Sequence, residues 1–229
     1  MTLADTEIEA ALVDALKGFD KRIPILSEEE GGTPDIDLGS AIQTGLFSID
    51  PLDGTTLFAA GLPDWSTSVC YFEGGGPRFA IVSQPGFGRC FVAERGEGIM
   101  MQQRETCWLS FQRTRSHAPM IGLDLPRSMA RSRRYWPMAR KLIIEFGYPR
   151  NEPSVFSGVE LMLGLTWMWF TASIAKHWDP AAGSLFIEEC GGVAECLNGS
   201  SIPWHKLEMP PLLFAESADA AARVRAAIK

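Results

Sequence analysis

Residues 48–58 read Ser48-Ile49-Asp50-Pro51-Leu52-Asp53-Gly54-Thr55-Thr56-Leu57-Phe58. Phe47 and Ile49 bracket a short strand-like run. It meets Asp50-Pro51, a pair that a central strand does not tolerate. Asp53-Gly54 then signals a tight turn, and Thr55 and Thr56 are placed to cap whatever follows. Asp50 and Asp53 therefore stand at the end of a strand, where their side chains can converge and the Leu52 carbonyl is exposed. Two close carboxylates repel unless a cation or a proton lies between them. With only oxygen donors on offer, a hard divalent ion suits this turn. A solvated acidic turn is the competing reading on these residues alone.

The rest of the chain bounds the class. The 229 residues are 46% hydrophobic, enough for a sizeable core in one large or two small domains. The expected division is 1–110, carrying the turn, and 111–229, joined in one compact unit. A formal charge of −7 argues against nucleic acid as a partner. Five cysteines without Cys-x-x-Cys spacing fit reduced thiols and a cytoplasmic location. The acidic start lacks the order of a signal peptide, and the apolar run 161–175 is too short to span a bilayer, so no membrane partner is expected.

Residues 2–19 have helical spacing, with Thr2 as N-cap and Asp5 at the capping-box position. Residues 23–26 form a short apolar run that ends at Ser27-Glu28-Glu29-Glu30. Residues 31–45 read as loop, with Asp35 and Asp37 solvated. Strands at 66–72, 79–84 and 89–94, separated by glycine-rich turns, read as an antiparallel meander; residues 98–100 continue it and 108–113 form another strand. A helix is expected over 128–146, a loop over 149–157, and a buried helix from 158 to about 165 running into a strand. Asp179-Pro180 reads as the cap and first position of a helix over 181–190. Strands at 193–197 and 212–214 and a helix over 217–228 complete an alternating α/β pattern. His177 reads as a structural hydrogen bonder. Nine Arg or Lys residues against two acids lie between positions 113 and 150. They read either as a solvated helix face or subunit contact, or as a lure for an anionic substrate.

Four motifs, in order, resemble those of the inositol monophosphatase family of metal-dependent phosphatases. Asp50-Pro51-Leu52-Asp53-Gly54-Thr55 is similar to its first signature. Trp178-Asp179-Pro180-Ala181-Ala182-Gly183, followed by Glu188-Glu189-Cys190-Gly191-Gly192, is similar to its second. The acidic element from Ile25 to Gly31 and the helix start Thr2-x-x-Asp5-x-x-x-Glu9 are similar to two more. The resemblance implies an α/β fold, α+β layered as the αβαβα sandwich of sugar phosphatases. It also implies a further helix ahead of residue 2 that this sequence lacks, leaving apolar surface uncovered on its neighbour.

The resemblance further implies a magnesium-dependent, lithium-sensitive phosphomonoesterase with two or three Mg2+ ions, commonly a homodimer. Glu28, Asp50 and the Leu52 carbonyl would hold the first ion, Asp50, Asp53 and Asp179 the second, and Asp5 a third. Thr55, with Glu28 or Asp5, would orient the attacking water. Gly54 and Thr55 would receive phosphate oxygens through their backbone N–H groups, with Asp179 also at the substrate. In inositol-specific members an acid before the Trp-Asp pair binds sugar hydroxyls; residues 171–176 here contain none. Glu160 is the candidate polar contact instead. The substrate is then a small phosphorylated metabolite: an inositol, sugar, nucleotide or histidinol phosphate. A non-catalytic binding or regulatory role is the alternative.

Overall fold

A computed structural model describes residues 1–29, 35–104, 106–113, 120–124, 132–172 and 175–229. Helix α1, Leu3–Asp20, starts where Thr2 leaves extended backbone. The Asp5 carboxylate accepts hydrogen bonds from the Thr2 N–H and from the Thr2 hydroxyl, the latter at 2.6 Å. Leu12, Val13 and Leu16 then pack on Phe47, Ile49 and Val69 of the sheet beneath.

That sheet has seven strands in sequence order. They are β1 (Ile25–Ser27), β2 (Leu46–Asp53), β3 (Ser66–Glu73), β4 (Gly76–Gln84), β5 (Arg89–Glu94), β6 (Gly98–Gln103) and β7 (Leu109–Phe111). Only the β1–β2 pair is parallel; the remainder is the meander that the turn spacing anticipates.

The expectation that Asp50-Pro51 ends the strand is overturned: β2 runs through Pro51 to Asp53 with every residue buried. Two features permit it. β1 stops pairing at Ser27–Ile49, so no neighbour needs the missing Pro51 N–H. On the other edge, the register with β3 steps from Asp50–Ser68 to Asp53–Ser66, so three steps on β2 oppose two on β3. This bulge reorients the strand, a common device beside functional sites. Strict alternation would place positions 50 and 52 on one face; the extra residue lets Asp50 and Asp53 share it.

Other expectations change as well. Within 31–45, where the sequence reads as loop, α2 (Leu38–Thr44) forms, with the Asp37 carboxylate accepting from the Gly39 N–H at 3.1 Å. Thr55 and Thr56 do not cap: α3 (Thr55–Ala59) is preceded by Gly54 in the left-handed conformation. The helical segment expected over 128–146 is α4 (Tyr135–Phe146); residues 128–131 lie outside the described set. The helix expected from 158 is α5 (Ser154–Met162), four residues earlier, where Pro153 and Ser154 start it.

The second sheet is ordered β11-β12-β10-β8-β9. β8 (Met120–Asp124) and β9 (Tyr148–Arg150), both unforeseen, run parallel to β10 (Met168–Thr171). β12 (Leu212–Ala215) and β11 (Val193–Cys196) complete it antiparallel. Alternation along β10 sorts two cores: Trp169 points inward, whereas Met168 and Phe170 point outward.

Helices α5 and α6 (Trp178–Glu189) lie between the sheets and are buried almost throughout. α4 and α7 (Ala218–Ile228) cover the outer face of the second sheet through Ala139, Leu142, Ala220, Ala221 and Val224. Five layers result, α/β/α/β/α. No described helix is long and apolar enough to cross a membrane. Beside α1, the outer face of the first sheet carries an apolar groove of about 550 Å3, lined by Leu16, Phe19, Phe47, Tyr71, Phe79 and Ile81.

The two central helices meet at glycines. A Cβ on Gly158 would lie 2.8 Å from the Gly183 Cα. Gly158→Ala is expected to lower stability by about 1–3 kcal/mol through overpacking, read by urea denaturation.

Candidate metal centre

The centre forms where the bulged end of β2 meets the starts of both central helices. The Asp53 carboxylate accepts from the Phe156 N–H at 2.9 Å, from Ser154 Oγ at 3.3 Å and from Ser66 Oγ at 3.4 Å. An amide in the first turn of α5, which no helix carbonyl can reach, is thus capped from another sheet. Asp179 lies inside the first turn of α6, not at its cap; residue 177 takes that place. Its Oδ2 accepts from the Lys176 N–H at 2.7 Å. Asp50 is 1% exposed, and among the described residues its Oδ1 has no hydrogen-bond partner.

Electrostatics show that these groups share one neighbourhood. Burial raises the Asp50 carboxyl well above its usual range, and the charges of Asp53, Glu28 and Asp179 add to the shift. Burial likewise carries Asp53 to about 7 and Asp179 to about 8, against partial relief from their backbone hydrogen bonds. Glu28 is raised by desolvation of its carboxyl end, although the residue as a whole is exposed, and its side-chain hydrogen bond with Asp50 offsets part of that rise.

Asp5 joins through Thr55, whose hydroxyl donates to Asp5 Oδ1 at 2.8 Å and lies 3.2 Å from the Leu52 carbonyl oxygen. Burial alone would raise the Asp5 carboxyl, but hydrogen bonds from Thr2 and Thr55 outweigh it and hold it below 3.8. Gly54, at φ +93°, makes the bend: a Cβ there would lie 2.8 Å from Pro153 Cγ and 3.0 Å from the Asp64 carbonyl oxygen.

Glu28, Asp50, Asp53 and Asp179 are thus brought together, with Asp5 and Thr55 beside them. Glu160 is not in this group: it is buried and paired with Arg150 Nη2 at 2.8 Å, the same nitrogen that meets Glu152 at 2.8 Å. The basic stretch is not a single surface. Arg113 pairs with Glu216 at 3.1 Å and Arg150 with the two glutamates, while Arg133, Arg134, Arg140 and Lys141 are exposed. Arg115, Arg127 and Arg131 lie outside the described residues.

Sequence reasoning missed three supports. Ser154 and Phe156 fall in a stretch whose sequence reads as loop. Asp124, at the end of β8, accepts from Thr171 Oγ1 at 2.7 Å and adds its charge to that felt by Asp179. His177 meets Ser48 Oγ through Nδ1 at 2.9 Å, and burial lowers its pKa to about 4, in keeping with a structural hydrogen bonder.

Among the described residues, no three acidic, histidine or cysteine side chains already stand in a closed metal-ligand arrangement. The donor chemistry nevertheless fits a hard cation. The donors are oxygens, Asp50 Oδ1 is buried without a partner among the described residues, and the carboxyls' affinity for protons is raised where a cation would stabilise their charges.

A model of the inositol monophosphatase family matches residues 1–228. The fructose-1,6-bisphosphatase/inositol-1-monophosphatase of Thermotoga maritima is 26% identical over 208 residues, 87% of this chain and 72% of that protein. Nus factor SuhB of Pasteurella multocida is 27% identical over 205 residues, 87% of this chain and 72% of that protein. Among solved structures, the extragenic suppressor protein suhB of Bartonella henselae superposes with a TM-score of 0.83 at 23% identity, covering 100% of this chain and 84% of that one. Staphylococcal inositol monophosphatase-1 gives 0.81 at 19%, covering 99% and 80%.

A carboxyl that keeps its proton in the fold but loses it on unfolding contributes stability that is full below its unfolded pKa and is lost as pH rises to its folded one. For Asp179 that interval runs from 3.8 to about 8. In chelator-treated protein the thermal midpoint is expected to fall from about pH 5 to about pH 8. Asp179→Asn should flatten that fall. A wild-type midpoint constant over the interval contradicts a shared buried site.

Proposed function

This chain belongs to the inositol monophosphatase family, and from that premise we propose that it is a Mg2+-dependent phosphomonoesterase acting on a small phosphorylated metabolite. The observation that carries the reading is the group of carboxylates at Asp50, Asp53 and Asp179, the first two buried and the third half-buried, each held above its usual pKa by desolvation and by its neighbours.

Glu28, Asp50 and the Leu52 carbonyl would hold one Mg2+, and Asp50, Asp53 and Asp179 another, with Asp5 available to a third. Bound there, Mg2+ supplies charge neutralisation at the phosphoryl oxygens and lowers the pKa of a coordinated water. The chain's own groups supply the orientation. The Thr55 proton is committed to Asp5 Oδ1, so the oxygen of Thr55 is left to accept a hydrogen from a water. Asp5, held ionised, keeps the hydroxyl in that sense. The backbone N–H groups of Gly54 and Thr55 receive phosphate oxygens, at the bend that only glycine fits. The Phe156 N–H and Ser154 fix the Asp53 carboxylate so that it need not reorganise during the reaction. Glu160, paired with Arg150, ties α5 to the end of β9 and stands apart from these acids.

Nus factor SuhB of Pasteurella multocida and of Escherichia coli are both similar to this chain, which favours a second reading: a regulatory member that works by binding. Phosphate release from a panel of inositol, sugar, nucleotide and histidinol phosphates, with Mg2+ and with chelator, separates the two. Catalysis by the wild type is expected, falling roughly a thousandfold in Asp53→Asn, the loss of several kcal/mol of charge stabilisation. A folded wild type that is inert on the whole panel and takes up no Mg2+ by calorimetry establishes the regulatory reading instead.

A further inference from the structure

The centre is built from two halves that belong to different layers. Asp50 and Asp53 come from β2 of the first sheet, and Asp179 from the start of α6 in the middle layer. Each half carries a polar residue two positions upstream of its first acid: Ser48 before Asp50 and His177 before Asp179. Ser48 shares the inner face of β2 with Asp50, since side chains two apart on a strand point the same way. His177 occupies the N-cap position of α6. Ser48 Oγ and His177 Nδ1 meet at 2.9 Å, and the two residues are 1% and 0% exposed.

The imidazole cannot turn freely about this contact. Its ring lies 4.7 Å from that of Phe72 and 5.5 Å from that of Trp204, centroid to centroid, and these two rings are 5.1 Å apart. Phe72 belongs to β3, the strand paired with β2, so the histidine is gripped by the same sheet that its hydrogen bond reaches. Trp204 grips it from the chain that links the last two strands of the second sheet. A buried polar link of this kind adds little to net stability, because both groups were hydrogen-bonded to water before folding. It does fix a distance. A small error in carboxylate spacing is costly for Mg2+, which demands near-ideal octahedral geometry.

We infer that Ser48 and His177 are positioning residues: their hydrogen bond locks the first turn of α6 to β2 and sets the separation of Asp50 and Asp179 for cation binding. This rests on the metal-dependent reading of the centre and adds a pair of residues that touch neither ion nor substrate.

The test is calorimetric titration of Mg2+ into wild type, Ser48→Ala, His177→Asn and Leu142→Ala. Leu142 is on the buried side of α4 in the outer layer, so its variant loses stability without touching the centre. Ser48→Ala is expected to weaken Mg2+ binding about tenfold or more, the usual effect of losing a support behind a ligand. Leu142→Ala, although less stable, should bind as the wild type does. His177→Asn offers an amide near the place of Nδ1 and should retain more affinity than Ser48→Ala. Where Ser48→Ala does not fold, His177→Leu, which places no polar atom opposite Ser48 Oγ, makes the same comparison against Leu142→Ala. Wild-type affinity in Ser48→Ala, or an equal loss in Leu142→Ala, overturns the positioning role alone. A wild type that takes up no Mg2+ overturns the metal-dependent reading and this inference with it.

Discussion

Like charges forced together set the terms for this molecule. Asp50 and Asp53 are buried and Asp179 is half-buried; Asp53 and Asp179 raise the proton affinity of Asp50, Asp53 raises that of Asp179, and Glu28 raises that of all three. Such a group opposes folding, because desolvating a carboxylate costs more than any one neutral hydrogen bond returns. The chain tolerates it by raising the acids' affinity for protons and by surrounding them with a large apolar core. Two fully buried helices and the inner faces of two sheets supply that core. Stability is given up locally to a centre whose charges are arranged for something that is not protein, which is common at functional sites.

The layered architecture explains how acids so far apart in sequence meet. A strand end can present two carboxylates, but only if its pleat is interrupted, and the bulge opposite Ser66–Ser68 does so. Helix starts supply donors that have no partner within their own helix. The start of α5 gives the Phe156 N–H to Asp53, and Asp179 in the first turn of α6 takes the N–H of Lys176. Because the two helices cross at the Gly158–Gly183 contact, their starts are held in fixed relation to each other and to β2. The packing of the middle layer and the geometry of the centre are therefore one constraint. Ser48 and His177 tie β2 to α6 at a second point, closer to the acids.

Local chemistry was legible where it was self-contained. The helix from Leu3 is capped by its own Thr2 and Asp5, so its start can be read from four residues. The meander from β3 to β5 is punctuated by its own glycine turns, and the bounds of the predicted strands fall no more than three residues from the observed ones. The misreadings share a different cause. Asp50-Pro51 breaks a strand only if a neighbour requires the missing N–H, and where β1 ends cannot be seen from Pro51. Residues 154–157 look like loop because the donor at Phe156 is satisfied by Asp53, which stands more than a hundred residues away. β8 and β9 are short, and they owe their place to pairing with β10, not to a pattern of their own.

By itself the sequence determined which atoms are available: several acids and a threonine hydroxyl beside a glycine bend. It also determined the alternation of strands and helices that leads to a layered fold, because side-chain periodicity is written residue by residue. Only the tertiary structure decided that Glu28, Asp50, Asp53 and Asp179 act on one another's protons while Glu160 is neutralised elsewhere by Arg150. The reason is physical. Desolvation and Coulomb interaction depend on distance through space and on what excludes water, and neither is fixed until the layers close.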